Sequence, residues 1–212
     1  MKEPIVQKRN RLSEKRTITK IKILEFLARY PFDSFTLTEI AKKAKVSKAA
    51  ASKIVRELEA EGYVTIGELA KLLWRVRYNL DKLPARGFKI SSSLLIIYQS
   101  RIIEYIIKKW GSPRAIVLFG SVRKGEDGPG SDIDIAVETD REQDVEFVSL
   151  DAFDDEESQK LREFENVVER KFRICFFNRK RTDPNLFLSI VNGILLYGFL
   201  EVPSWITKES KN

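Results

Sequence analysis

The chain has 212 residues, 43% of them hydrophobic and 33% charged, a formal net charge of +7, one cysteine and no histidine. The missing histidine excludes Ser-His and Cys-His nucleophilic catalysis and imidazole proton shuttling, so any chemistry falls to carboxylates, metal ions, Lys or Tyr. The lone Cys175 cannot form an internal disulfide, and with no histidine beside it the usual zinc sites are excluded too; it reads as a small core residue.

The charge is uneven. Residues 1–90 carry 21 Lys/Arg against 10 Asp/Glu, a balance of +11, whereas residues 91–212 carry 17 against 21, a balance of −4. A basic half joined to a mildly acidic one suggests two domains with different partners, and the length accommodates both. The opening MKEPIVQKRNRLSEKR is basic with no apolar run behind it, so it reads as neither signal peptide nor anchor. No uncharged apolar run approaches the roughly 18 residues that span a bilayer, and the expectation is a cytoplasmic chain with no membrane partner.

In chain order, Ile21, Ile23, Leu24 and Leu27 recur at helical spacing and predict an amphipathic first helix over Ile18–Ala28. A second helix opens at TLTEIAKKAKVS, with Thr36 and Glu39 at capping-box spacing. Ser47 caps a third, whose Ala51, Ile54, Val55 and Leu58 form an apolar stripe and which Gly62 stops. The segment YVTIGELAKLLWRVRYNL then predicts a strand, a turn near Gly67 and a second strand in which Leu72, Trp74, Val76 and Tyr78 alternate with Leu73, Arg75, Arg77 and Asn79. Helices joined by a tight turn and followed by a hairpin make a winged helix-turn-helix, and over about residues 17–80 the order resembles the MarR-like and ArsR-like regulator domains. Such a motif places its second helix in the major groove of double-stranded DNA. The candidate DNA-facing residues are Lys48, Ala49, Ser52, Lys53 and Arg56 on that helix, with Arg75 and Arg77 on the wing; a merely solvated helix face is the competing reading.

The stretch DKLPARGFKISSS, with Pro, Gly and Ser and no periodicity, reads as a linker. The expected layout is a winged helix-turn-helix over residues 1–83, a linker over 84–92, a second domain over 93–203 and a tail over 204–212. The second domain opens with the long helix LLIIYQSRIIEYIIKKWG, closed by Gly111.

Next, RAIVLFGS reads as a buried strand ending in Gly120 and Ser121, and SDIDIAVE as another. Asp132 and Asp134 lie two apart, hence on one strand face, where two carboxylates repel unless a cation or a proton lies between them. Oxygen-only ligands favour Mg2+ or Mn2+, and Gly120 lets backbone approach a triphosphate to which Ser121 and nearby amides donate. A polar hairpin is the alternative to this metal and phosphate floor. At Gly120-Ser121, nine residues, Ser131 and then Asp132-Ile133-Asp134, the sequence resembles the signature of the DNA polymerase beta-like nucleotidyltransferases, most of all their minimal prokaryotic members, over about residues 91–201. The resemblance implies that Gly120, Ser121 and Ser131 bind nucleotide, and that Asp132 and Asp134 are catalytic metal ligands. It also implies a third acidic residue on a later strand, where Arg173 stands instead; Arg173 is left to bind a phosphate or to pair with Asp132 or Asp134. Glu138 and Glu169 are the substitutes, though their registers do not obviously allow it, and Asp140–Phe153 is longer than the minimal family needs.

The fold class that follows combines an N-terminal winged helix-turn-helix with a C-terminal α/β mixed sheet flanked by helices. Two functions fit. One is a DNA-binding enzyme using Mg2+ or Mn2+ to transfer a nucleoside monophosphate from a nucleoside triphosphate to a hydroxyl acceptor. The other is a transcriptional regulator whose second domain only binds nucleotide or dimerises, giving a homodimer. A role as half of a toxin–antitoxin pair is a third idea that one sequence does not test.

Overall fold

In the computed structural model, which describes residues 5–70, 73–140 and 145–201, the first helix is longer than its apolar spacing suggested: α1 runs Ile5–Arg29. The chain divides into two units, Met1–Lys89 and Ile90–Asn212. In the first, α1 is followed by β1 (Ser34–Phe35), α2 (Leu37–Ala44), α3 (Lys48–Ala60), β2 (Val64–Ala70) and β3 (Leu73–Tyr78).

The local signals act where they stand. Thr36 Oγ1 accepts from the Glu39 amide at 3.3 Å while the Glu39 carboxylate accepts from the Thr36 amide at 2.7 Å, a complete capping box on α2. Ser47 Oγ accepts from the Ala50 amide at 3.2 Å and starts α3. Lys45, in the left-handed region at φ 55°, makes the tight turn between them. Ile23, Leu27, Ile40, Ala51, Val55, Leu58 and Val76 form the core of this unit, and its sheet has the order β1-β3-β2. The turn expected near Gly67 is not there. Gly67 sits within β2 opposite Arg75, and the strand runs on to Ala70 past a bulge between Glu68 and Ala70; glycine in extended backbone does not force a reversal. Leu72, expected on the second wing strand, lies outside the described residues.

The expected linker is also corrected. Residues 84–92 lie in α4 (Leu83–Ser100), and the boundary between the two units falls inside this helix. Pro84 stands in the first turn, where its missing amide costs no helical bond. Ala85, Lys89, Ser93 and Ile97, four residues apart, are all buried, a period the polar letters conceal. Lys89 is buried because its Nζ donates to the Ala28 carbonyl at 3.1 Å. Arg101, at φ 61°, breaks the helix by 50° before α5 (Ile102–Trp110). No single helix among the described residues is long and apolar enough to cross a membrane. The expected tail, 204–212, lies outside those residues.

The second unit continues with β4 (Ala115–Phe119), a 3-10 turn (Val122–Lys124), β5 (Ile133–Glu138), β6 (Glu146–Ser149), a second 3-10 turn (Leu150–Ala152), α6 (Glu156–Val168), β7 (Phe172–Phe177), α7 (Pro184–Val191) and β8 (Ile194–Gly198). Its mixed sheet has the order β6-β7-β5-β4-β8, with β5 and β7 parallel and the other pairs antiparallel. Strand parity divides the core in two. Ile116, Leu118, Ile133, Ile135, Phe172 and Ile174 pack with Ile102 and Ile106 of α5 and Leu161 of α6. Val117, Phe119, Ala136, Cys175 and Phe177 pack with Phe187 and Ile190 of α7. Cys175 is buried, and burial pushes its thiol up to about 12. The long segment after Asp140 contributes β6, an edge strand beside β7 that the sequence left unassigned.

Candidate functional site

The Gly-Ser turn and the two aspartates are brought together by the pairing of β4 with β5. Every residue of β4 is buried, and Phe119 at its end stands opposite Asp134. Gly120 follows at φ +74°, and a methyl group built on it would overlap Asp134 Oδ2. Glycine is therefore required twice, for the backbone conformation and for the approach of the carboxylate. Ser121 then opens the 3-10 turn, its carbonyl accepting from the amides of Lys124 and Glu126, both at 3.1 Å. Arg123 in this turn has a buried Nε with no hydrogen-bond partner among the described residues.

Ser131, expected to touch nucleotide, ties the loop: its Oγ accepts from the Gly128 amide at 3.0 Å. Asp127 in the same loop is buried in an ion pair with Arg170. Asp132 is half-buried and precedes β5, which begins at Ile133. Asp134 is 7% exposed on the strand itself.

Arg173 stands opposite Asp134 in the parallel β5–β7 register. Its Nε donates to Asp134 Oδ1 at 2.6 Å, and Nη2 reaches the same oxygen at 2.6 Å. The guanidinium carbon lies 5.3 Å from the ring centroid of Phe147 on β6, and both side chains are about half exposed. Burial pushes the Asp134 carboxyl above the usual carboxylate range, against the pull of the Arg173 hydrogen bond and charge, and the neighbouring Asp132 charge adds to the rise.

Neither substitute acid joins this group. Glu138 lies at the far end of β5 and pairs with Arg179, Nε to Oε1 at 3.4 Å, and Glu169 is the exposed C-cap of α6. Among the described residues no cluster of three or more His, Cys, Asp or Glu is placed to hold a metal ion. Asp132 and Asp134 would supply two carboxylates to an oxygen-liganded cation, and Arg173, bonded to Asp134, competes with a cation for one of them. They do not fit a centre of two metals, because the third acidic position is cationic and already bonded to Asp134.

On α3, Lys48, Ala49, Lys53 and Arg56 are exposed and Ser52 is half-buried. Arg56 and Arg75 are more committed than the pattern suggested. Arg56 stacks over Trp74 at 4.8 Å, while Arg75 lies 4.0 Å from Glu39 and donates to the Ser34 carbonyl at 3.4 Å. Arg77 is exposed. Sequence reasoning missed Arg16 and Lys20, which pair with Glu57 and Glu61 and tie α1 to α3. It also missed Phe147, whose only signal was an aromatic in a segment longer than expected.

Comparison with family models matches residues 100–186 to the nucleotidyltransferase domain and residues 16–71 to the MarR family. The MarR match falls within the first unit and the nucleotidyltransferase match within the second. The match to the nucleotidyltransferase domain includes the Gly-Ser turn, both aspartates and Arg173, and the MarR match includes all of α3 but stops before Arg75 and Arg77. Comparison with curated proteins and with solved structures gave no match.

Proposed function

We propose that this chain is a DNA-binding regulator whose nucleotidyltransferase domain binds a nucleoside triphosphate and, in doing so, adjusts the hold of the MarR-family domain on DNA. The observation that carries this reading is the ion pair between Asp134 and Arg173. A carboxylate tied up by a guanidinium is poorly placed to share a metal with an attacking hydroxyl, whereas a guanidinium beside a glycine turn suits phosphate.

In this reading the backbone at Gly120 and the Ser121 hydroxyl take the phosphates. Lys48 and Lys53 of α3, with Arg77 of the wing, meet DNA phosphates, and the small Ala49 and Ser52 let the helix approach the bases. In the transfer reading that follows, Asp132 and Asp134 would hold a single Mg2+ or Mn2+, which when bound supplies neutralisation of phosphate charge.

Transfer of a nucleoside monophosphate to a hydroxyl acceptor is the second reading. Gly120 favours it, since its bare Cα leaves the room in which Asp134 reaches the turn. One pair of measurements separates the two. Fluorescence polarisation of a labelled mixed-sequence duplex, with and without each nucleoside triphosphate, is expected to show a nucleotide-dependent change in affinity, while a pyrophosphate assay with Mg2+ or Mn2+ stays at background. Sustained pyrophosphate release that Asp134→Ala abolishes would establish transfer instead.

A further inference from the structure

We infer that Arg173 is the resident cation of this site, so that the domain binds a nucleoside triphosphate without a divalent metal ion. This rests on the nucleotide reading above and goes further, since it states what neutralises the ligand. The first ground is placement. The β5–β7 register sets Arg173 opposite Asp134, and two of its donors converge on one carboxylate oxygen at 2.6 Å.

The second ground is what this bond leaves open. A guanidinium carries five N–H donors in a rigid fork, and Asp134 takes two of them. Asp134 is 7% exposed, while the Arg173 side chain keeps 48% of its surface. The carboxylate is the buried end of the pair, and the remaining donors belong to the half-exposed end. Phe147 lies against the guanidinium at 5.3 Å and limits how far it swings, so little freedom is lost on binding.

The third ground is independent of Arg173. Arg123, two residues after Ser121, buries an Nε with no acceptor among the described residues. A buried donor without an acceptor is costly, and here that cost falls within the 3-10 turn that Ser121 opens. In charge, Arg173 offsets one of the two aspartates. A third carboxylate at position 173 would instead have left an acidic pocket that a triphosphate could enter only with metal ions.

The test is isothermal titration calorimetry of the full-length chain with ATP, GTP, CTP and UTP, each in EDTA and in MgCl2. At least one nucleotide is expected to bind in EDTA with a Kd within about threefold of its value in Mg2+. Arg173→Gln is expected to weaken binding in EDTA by at least about tenfold while leaving binding in Mg2+ much less affected. Should that variant fail to fold by circular dichroism, Phe147→Leu, on a half-exposed ring, is expected to move binding in EDTA the same way by a smaller factor. Wild-type binding in Mg2+ alone would overturn the inference and leave the nucleotide reading standing. So would an Arg173→Gln chain, or in its stead a Phe147→Leu chain, that binds in EDTA like wild type. Absence of binding in both buffers for all four nucleotides would overturn the nucleotide reading and the inference with it.

Discussion

Gly120 is the residue on which the candidate site turns, because nothing larger allows the β4 terminus and the Asp134 carboxylate to occupy the same region. Gly120→Ala places a side chain in the left-handed region, a cost on the order of 1–3 kcal/mol, and pushes Asp134 away. It is expected to lower the unfolding free energy read from urea titration by that amount and to abolish nucleotide binding, both measurable on one preparation. Glu138 offers a test of a different kind. It is 2% exposed, its Oε2 has no hydrogen-bond partner among the described residues, and burial outweighs the Arg179 and Arg114 charges in raising its carboxyl above the usual range. Between the unfolded and the raised folded value the folded chain binds more protons than the unfolded one, so this group's contribution to stability falls as pH rises through that window. Asp134 and Glu165 are raised as well and act with the same sign. Glu138→Gln, uncharged and of similar shape, is therefore expected to raise the urea midpoint at pH 7 and to lose that advantage near pH 4, where the wild-type carboxyl is itself protonated in both states. A midpoint lowered at pH 7 would mean that the Arg179 pair outweighs the burial penalty. What the letters disclosed at this scale was spacing: Gly120 and Asp134 fall where local turn and strand signals put them, whereas Asp132, expected on the same strand face, lies one residue before β5. That Arg173 bonds Asp134 rather than a free phosphate depends on a parallel register 39 residues away in sequence, which no local pattern specifies.

At the scale of elements, α4 shows how composition misleads. Pro, Gly and three serines read as a break, yet the segment is helical because a residue is buried every fourth position and Pro84 falls where a helix tolerates it. Gly87 is the one misfit inside that helix. A Cβ built there meets nothing within 4 Å, so Gly87→Ala is expected to stabilise the chain by roughly 0.5–1 kcal/mol, through helix propensity and a less free unfolded state. Chemical denaturation reads the sign directly, and a loss would show that glycine is kept there for a reason other than space. The caps of α2 and α3 were legible to the residue because capping is a contact between neighbours three positions apart. The extent of β2 was not, because Gly67 permits a turn without requiring one, and what holds it extended is its pairing with Arg75 on β3. The edge strand β6 escaped for the same reason, its place beside β7 being set by tertiary pairing.

For the molecule as a whole, the division of charge is the property that the sequence states most plainly and that function must use. The basic excess lies in residues 1–90, at +11, and the rest of the chain carries −4, so attraction to a polyanion is concentrated in the half that includes the match to the MarR family. Lys48 and Lys53 are exposed on α3 with no ion-pair partner among the described residues, whereas Arg56 and Arg75 are engaged with Trp74 and Glu39. The two lysines should therefore carry more of the phosphate contact than the two arginines. If each meets one phosphate, Lys48→Glu plus Lys53→Glu removes two counterion-release events, and the slope of log K against log salt falls by about 1.8 for double-stranded DNA. Titrations of a mixed-sequence duplex at several salt concentrations measure this slope, and an unchanged slope would remove this face of α3 from the interface. The same variant separates the roles of the two domains. Its nucleotide affinity in the absence of DNA should equal that of the wild type, since neither lysine belongs to the Gly120–Asp134 site. Linkage then sets a condition on the regulatory reading: whatever factor a nucleoside triphosphate applies to DNA affinity, DNA must apply to nucleotide affinity, and a tenfold coupling corresponds to about 1.4 kcal/mol in both directions. Measuring the two factors independently, on wild type and on the double lysine variant, gives equal numbers in each chain, and numbers other than one if binding at one domain is felt at the other. A factor of one in both directions would reduce the two domains to neighbours on a single chain.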